Sequence, residues 1–144
     1  MVLGTLCGVR PSELEAFNPA GIQLDERVII IDDANSRGGD RRVIELDDAW
    51  GDCVIAWLQT CDLTKPILPQ PWRRHVEALR RELGLWSADI MRHTAASAHY
   101  AFFQDQGKTM KMLGHTGKPD IFHNHYKALL KRAEAATLYA LRPS

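Results

Sequence analysis

The hydrophobic rhythm of this chain changes once, and that change constrains the fold more than any other feature. From residue 21 to 46 come three short runs rich in Val and Ile, GIQL (21–24), RVIIID (27–32) and RRVIEL (41–46), with turn-forming residues between them. This pattern predicts a small antiparallel sheet of three strands, with Gly38-Gly39-Asp40 in a hairpin turn. From Asp47 the period becomes helical. Trp50, Val54, Trp57, Leu58 and Cys61 recur on one face of a helix expected over 48–61. A second amphipathic helix, built on Trp72, Val76, Leu79 and Leu83, ends at Gly84, and its other face carries Arg73, Arg74, Arg80 and Arg81.

Helices are also expected around this middle section. Residues 2–9 read as the end of an apolar helix. Residues 12–17 read as a short one, capped by Ser12 with Pro11 outside it and with Glu13 and Glu15 near its positive end. Asn18-Pro19-Ala20-Gly21 breaks that helix, and the proline-rich stretch 62–71 forms a loop. An Ala-rich buried helix is expected at 89–102, with two more at 105–113 and 125–141. The fold class is therefore α+β, mainly α, with one small three-stranded antiparallel sheet, and residues 1–144 form a single domain.

Composition excludes several alternatives. The chain has 144 residues, 45% hydrophobic and 25% charged, which suits a globular domain with a real core. No apolar run reaches the length a membrane span needs, and MVLGTLCGV at the start lacks the basic flank of a signal peptide. Three scattered cysteines, Cys7, Cys53 and Cys61, without a CxxC pair, argue against a disulfide framework or a zinc site and for a reducing cytoplasm. Eighteen basic residues balance eighteen acidic ones, so bulk electrostatics does not drive binding to a polyanion. The distribution is uneven, however. Acidic residues are frequent over 13–52, whereas Lys and Arg lead in 73–81 and 108–132.

Four local patterns follow one another in order: GVRPSEL (8–14); SRGGDRRVIEL (36–46) ahead of a helix containing WL; MRHTAAS (91–97); and LGHT (113–116) followed by HYKALL (125–130). Together they resemble the catalytic domain of the tyrosine recombinases, the phage-integrase family, over about residues 2–135. That family carries an Arg in G-x-R-x-x-E-L, a Lys on a β-hairpin, H-x-x-R-H-T, L-G-H and then a Tyr.

The resemblance implies site-specific DNA recombination and integration through a 3′-phosphotyrosine link, without metal or other cofactor. It implies Tyr126 as nucleophile, Arg10 and Arg92 as clamps on the phosphate, and His115 as a hydrogen-bond donor to it. Glu13 would hold the helix presenting Arg10, and His93 would support the site or act as a base. The residue types suit the chemistry. Charge builds on the phosphate oxygens in the transition state, and forked guanidiniums neutralise it. A tyrosine, with a pKa of about 10, needs positioning and a proton acceptor. Arg73, Arg74, Arg80, Lys108 and Lys111 are the expected contacts to DNA phosphates. The implied partners are double-stranded DNA and, on it, further copies in a tetramer. The implied location is the bacterial cytoplasm at the nucleoid.

The sequence departs from the family at two site positions. Arg37 stands at or near the place of the hairpin lysine, and no lysine precedes Lys65. Arginine stabilises charge but donates protons poorly, and losing a general acid slows such reactions about 10²–10⁴-fold. Asp89 stands where the family usually has His, three residues before Arg92. A carboxylate there repels phosphate unless an arginine pairs with it. The resemblance further implies that the family's DNA-clamp domain and the first helix or so of the catalytic domain lie outside these residues.

Two rival readings follow. One is a catalytically impaired remnant that binds DNA or a partner subunit without cutting. The other is an unrelated helical interaction module. A metal centre on His115, His123 and His125 is disfavoured, because their spacing matches no common zinc pattern and no Cys or acidic ligand accompanies them.

Overall fold

A computed structural model describes residues 2–32, 41–68, 70–84, 89–115 and 130–144. Among these residues the chain forms seven α-helices and three strands: α1 (Val2–Cys7), α2 (Pro11–Ala16), β1 (Ile22–Gln23), β2 (Val28–Ile31), β3 (Arg42–Glu45), α3 (Asp48–Leu58), α4 (Trp72–Glu82), α5 (Ile90–Phe103), α6 (Gln106–Leu113) and α7 (Arg132–Tyr139). The mainly helical α+β class and the three-stranded antiparallel sheet agree with the sequence reading. The predicted hairpin turn at 38–40 lies outside the described residues, as do Arg37 and Tyr126.

The sheet runs in the order β1-β2-β3. Ile29 faces Ile22 on one side and Ile44 on the other, so these residues share one face of the pleat. That face is the buried one: Ile22, Ile29, Ile31 and Ile44 are all in the core. Each strand is one residue shorter at each end than the run that predicts it.

Helix α5 is the axis of the helical part and packs against α1, α6 and α7. Ala95, Ala96, Ala98 and Ala101 are buried along it. Small side chains there let neighbouring helices approach closely, which explains why an alanine-rich segment lies at the centre. Trp50 of α3 is only 1% exposed and donates from its indole Nε1 to the Leu6 carbonyl at 2.9 Å. Leu6 lies in the last turn of α1, where carbonyls have no partner inside the helix. The indole therefore ties α3 to α1 and satisfies an orphan acceptor. Trp50→Phe is expected to lower stability by about 2 kcal/mol, from the lost bond and the void left behind, as read by urea unfolding. An unchanged unfolding midpoint would show that the bond contributes nothing.

One local expectation is corrected. Ser12 does not cap α2 and Pro11 does not lie outside it. Pro11 is the first helical residue and Arg10 is the cap. Proline suits that position because its fixed φ is already helical and its missing N–H would have had no partner there. Glu13 reaches back instead, its carboxylate accepting from the Arg10 backbone N–H at 2.7 Å. Helix α4 has Trp72 as its one fully buried residue, and Leu83 just beyond its end is 59% exposed. No helix among the described residues is long and apolar enough to cross a membrane.

Candidate functional site

The C-terminal end of α6 is where the distant motifs meet. A helix end leaves carbonyls without partners and concentrates negative potential, so it attracts cations. Here two arginines from other elements supply both charge and donors. Arg92 of α5 donates from Nη2 to the Leu113 carbonyl at 2.6 Å and from Nη1 to the Gly8 carbonyl. Arg42 of β3 donates from Nε to the Met112 carbonyl at 3.1 Å. Gly114 then takes φ +67°, and the His115 N–H donates to the Met110 carbonyl at 3.0 Å, closing the helix and turning His115 toward the arginines.

Gly8 and Gly114 are required by space as well as by φ. A Cβ on Gly8 would lie 2.6 Å from Leu113 Cδ2, and one on Gly114 would lie 2.7 Å from Arg42 Cδ. Gly8 lets the α1–α2 turn approach Leu113 at the end of α6, and Gly114 leaves room there for Arg42 of β3.

Arg10 caps α2 beside this point. Its Nη1 donates to Glu13 Oε1 at 3.3 Å, and its side chain is 38% exposed. Glu13 thus bonds Arg10 through both its backbone N–H and its guanidinium, and it also accepts from Arg42. Arg42 Nη2 donates to Glu13 Oε2 at 2.9 Å and Nη1 donates to Oε1, a forked pair. Burial pushes the Glu13 carboxyl up. The Arg42 hydrogen bond, the Arg10 backbone N–H and the two guanidinium charges outweigh it and hold the group below its ordinary value.

His115 is half-buried, and among the described residues its Nε2 has no partner. Burial lowers its pKa from 6.5, and the charges of Arg92, Arg10 and Arg42 lower it further. The imidazole is therefore neutral at pH 7. Its coupling to all three arginines places the four groups in one electrostatic neighbourhood.

The remaining predicted residues lie around this centre. Asp89 is exposed just ahead of α5, and its backbone carbonyl accepts the first helical bond, from the backbone N–H of the half-buried His93, at 2.9 Å. Asp89 also lines a cleft of about 430 Å³ with Arg10, Arg73 and Arg80, and with the carboxylates Glu15 and Glu77. Arg73 pairs with Glu15, Lys108 with Asp47 at 2.9 Å and Lys111 with Glu45 at 2.9 Å, while Arg74 is exposed on α4. Surface pairs of this kind are worth about 0–1 kcal/mol each, and Lys108 also lies 3.9 Å over the Phe103 ring. Of the other tyrosines, Tyr139 is 1% exposed, packs edge-on to Phe102 at 5.2 Å, and has its pKa raised by burial and by Cys7 and Cys53. It is a core residue. Cys7 and Cys53 are buried free thiols, and burial pushes Cys7 up to about 12. Among the described residues, no group of three His, Cys, Asp or Glu side chains is arranged to hold a metal ion.

Sequence reasoning missed Arg42. A signal was present, because alternation back from the inward Leu46 and Ile44 puts Arg42 on the buried side and Arg41 on the exposed one. The side chains are 10% and 64% exposed respectively.

The fold and the site define a mainly helical α+β domain that gathers three guanidiniums and an imidazole at one helix end. Comparison with protein-family models, curated proteins and solved structures finds no match.

Proposed function

We propose that this chain cleaves and rejoins DNA strands through a tyrosine 3′-phosphate link, as the tyrosine recombinases that its motifs resemble do. The observation that carries the reading is the position of Arg92. Its guanidinium is bonded at once to the carbonyls two residues before Arg10 and two residues before His115. Three motif residues from distant stretches thus share one neighbourhood, and the motif carboxylate Glu13 supports one of them.

In this mechanism Arg10 and Arg92 neutralise the phosphate oxygens as negative charge grows on them. Neutral His115 donates one hydrogen bond to the same group. The Tyr126 oxygen attacks phosphorus, a P–O bond to Tyr126 forms, and the bond to the 5′-oxygen breaks. The Tyr126 phenol gives up its proton to water as it attacks, and the 5′-oxygen leaves as a hydroxyl after taking one up from water, so no net proton is consumed. A 5′-hydroxyl from a second strand reverses the step and frees Tyr126. The link conserves the bond energy, so the chemistry consumes no high-energy cofactor.

Arg37 in place of a lysine favours a second reading, binding without cutting, because guanidinium is a poor acid for the leaving oxygen. A pool of nicked duplexes of randomised sequence, which trap the cleaved strand, separates the two. The expected result is a protein–DNA adduct that survives denaturation and is absent in Tyr126→Phe. Salt-sensitive binding without an adduct would favour the second reading, and neither adduct nor binding would remove both.

A further inference from the structure

We propose that Arg42 is a positioning residue that sets Arg10 and His115 relative to each other. The inference rests on the reading of this site as an oxyanion site. Arg10 belongs to the start of α2 and His115 to the end of α6. Among the described residues, two arginines tie these ends together. The first is Arg92, which bonds Gly8 and Leu113. A single tie leaves the two ends free to pivot about it. Arg42 supplies the second at separate points: the Glu13 carboxylate, which itself holds the Arg10 backbone N–H, and the Met112 carbonyl. With both in place, the angle between the α2 and α6 ends is set.

The chemistry requires arginine. Three nitrogens in one plane serve three acceptors, two on Glu13 and one on α6. A lysine ammonium offers one nitrogen and cannot span them. Space is reserved for the fork as well: a Cβ at residue 114 would come within 3.2 Å of both Nε and Nη1 of Arg42.

Arg42 does not itself serve a bound anion. Its charge is matched by that of the Glu13 carboxylate, which is 2% exposed, and its Nε and both Nη nitrogens already serve Met112 and Glu13. Arg10, at 38%, and the half-buried His115 remain the outward-facing groups. Arg42 thus acts through them.

The test uses two variants of the full chain, each checked for folding by circular dichroism and thermal unfolding. Arg42→Lys keeps the charge but loses the fork. The double variant Glu13→Gln with Arg42→Met removes both charges together, so no unpaired ion is left buried to unfold the protein. Two readouts are taken: binding of inorganic phosphate, and the NMR signals of the Arg10 Nε–H and the His115 ring through a pH titration. In both variants phosphate binding should weaken about tenfold, equivalent to about 1.4 kcal/mol, and the Arg10 and His115 signals should move together. Parent-like affinity with both signals unmoved in a folded variant would overturn the proposal. If the parent chain binds no phosphate, the oxyanion reading fails instead, and the Arg10 and His115 signals alone decide the role of Arg42.

Discussion

Under the proposed function, replacing Arg92 by Met should slow DNA cleavage about 10²–10³-fold, the usual loss when one oxyanion donor is removed. It should also lower stability. Two opposing terms decide by how much. Burying a guanidinium is unfavourable, and Met relieves that while filling similar volume. Against this, the Gly8 and Leu113 carbonyls lose their donors at buried positions. Bonds to a charged donor are worth about 1.5–3 kcal/mol each, and an unsatisfied buried acceptor costs about 1–3 kcal/mol, so the loss wins with a net of about 2–4 kcal/mol. Arg92→Lys should recover part of the stability, because one nitrogen can still reach one carbonyl, but little of the rate. Adduct formation from nicked duplexes and urea unfolding read the two effects separately. An Arg92→Met chain that forms the adduct at the parental rate would remove Arg92 from the chemistry.

Acid should destabilise the protein through His99 by about 4–5 kcal/mol in total, because one pKa unit corresponds to 1.36 kcal/mol. His99 is 1% exposed, edge-on to Trp50 at 4.7 Å and beside Phe103 at 4.5 Å. The Thr109 hydroxyl donates its only proton to the Asp105 carbonyl at 2.9 Å. With its proton on that carbonyl, the hydroxyl accepts from His99 Nδ1–H, 2.8 Å away, in the tautomer that leaves Nε2 without a hydrogen. Nε2 is then the unprotonated nitrogen, buried and without a partner among the described residues. Protonating it would bury an unpaired charge.

Burial lowers the His99 pKa from 6.5 to about 3, with the Lys108 charge adding to the effect and Asp105 and Asp47 opposing it. The folded value lies below the unfolded one. The stabilisation is therefore fully present above pH 6.5, declines as pH falls, and is gone near pH 3. At pH 4 about 3 kcal/mol should already be lost, which urea unfolding between pH 7 and 4 will measure. His99→Leu cannot titrate, so its stability should fall less over that range. Equal slopes in the two proteins would show that His99 is not the group responsible. His115, also lowered by burial and then by the three arginines, contributes in the same direction.

The helices were legible where apolar spacing was long. Trp50, Val54 and Leu58 mark the inner face of α3, and all three are buried. The strand ends were less legible, because apolar runs continue past the last paired residues. The start of α2 was misread because Ser12 has the chemistry of a cap, while the backbone was set by Pro11 and the reach of Glu13 back to Arg10. In the site, Arg10, Arg92, His115 and Glu13 could be picked out from local motifs. The bond from Arg92 to two carbonyls could not, because nothing in a sequence says which backbone oxygens a buried guanidinium will meet.

The sequence by itself determined the mainly helical α+β class, the three-stranded sheet, and four residues that carry the resemblance to DNA-joining enzymes. These depend on periodicity and on local residue types, which a linear chain displays. Only the tertiary structure decided that the inward Arg42 meets Glu13 and the end of α6, that His99 sits neutral among aromatic rings, and that Gly8 lets Leu113 close in. The physical reason is common to all three. Burial and charge pairing depend on what the rest of the chain brings alongside, and a single guanidinium can join residues 29 and 70 positions away.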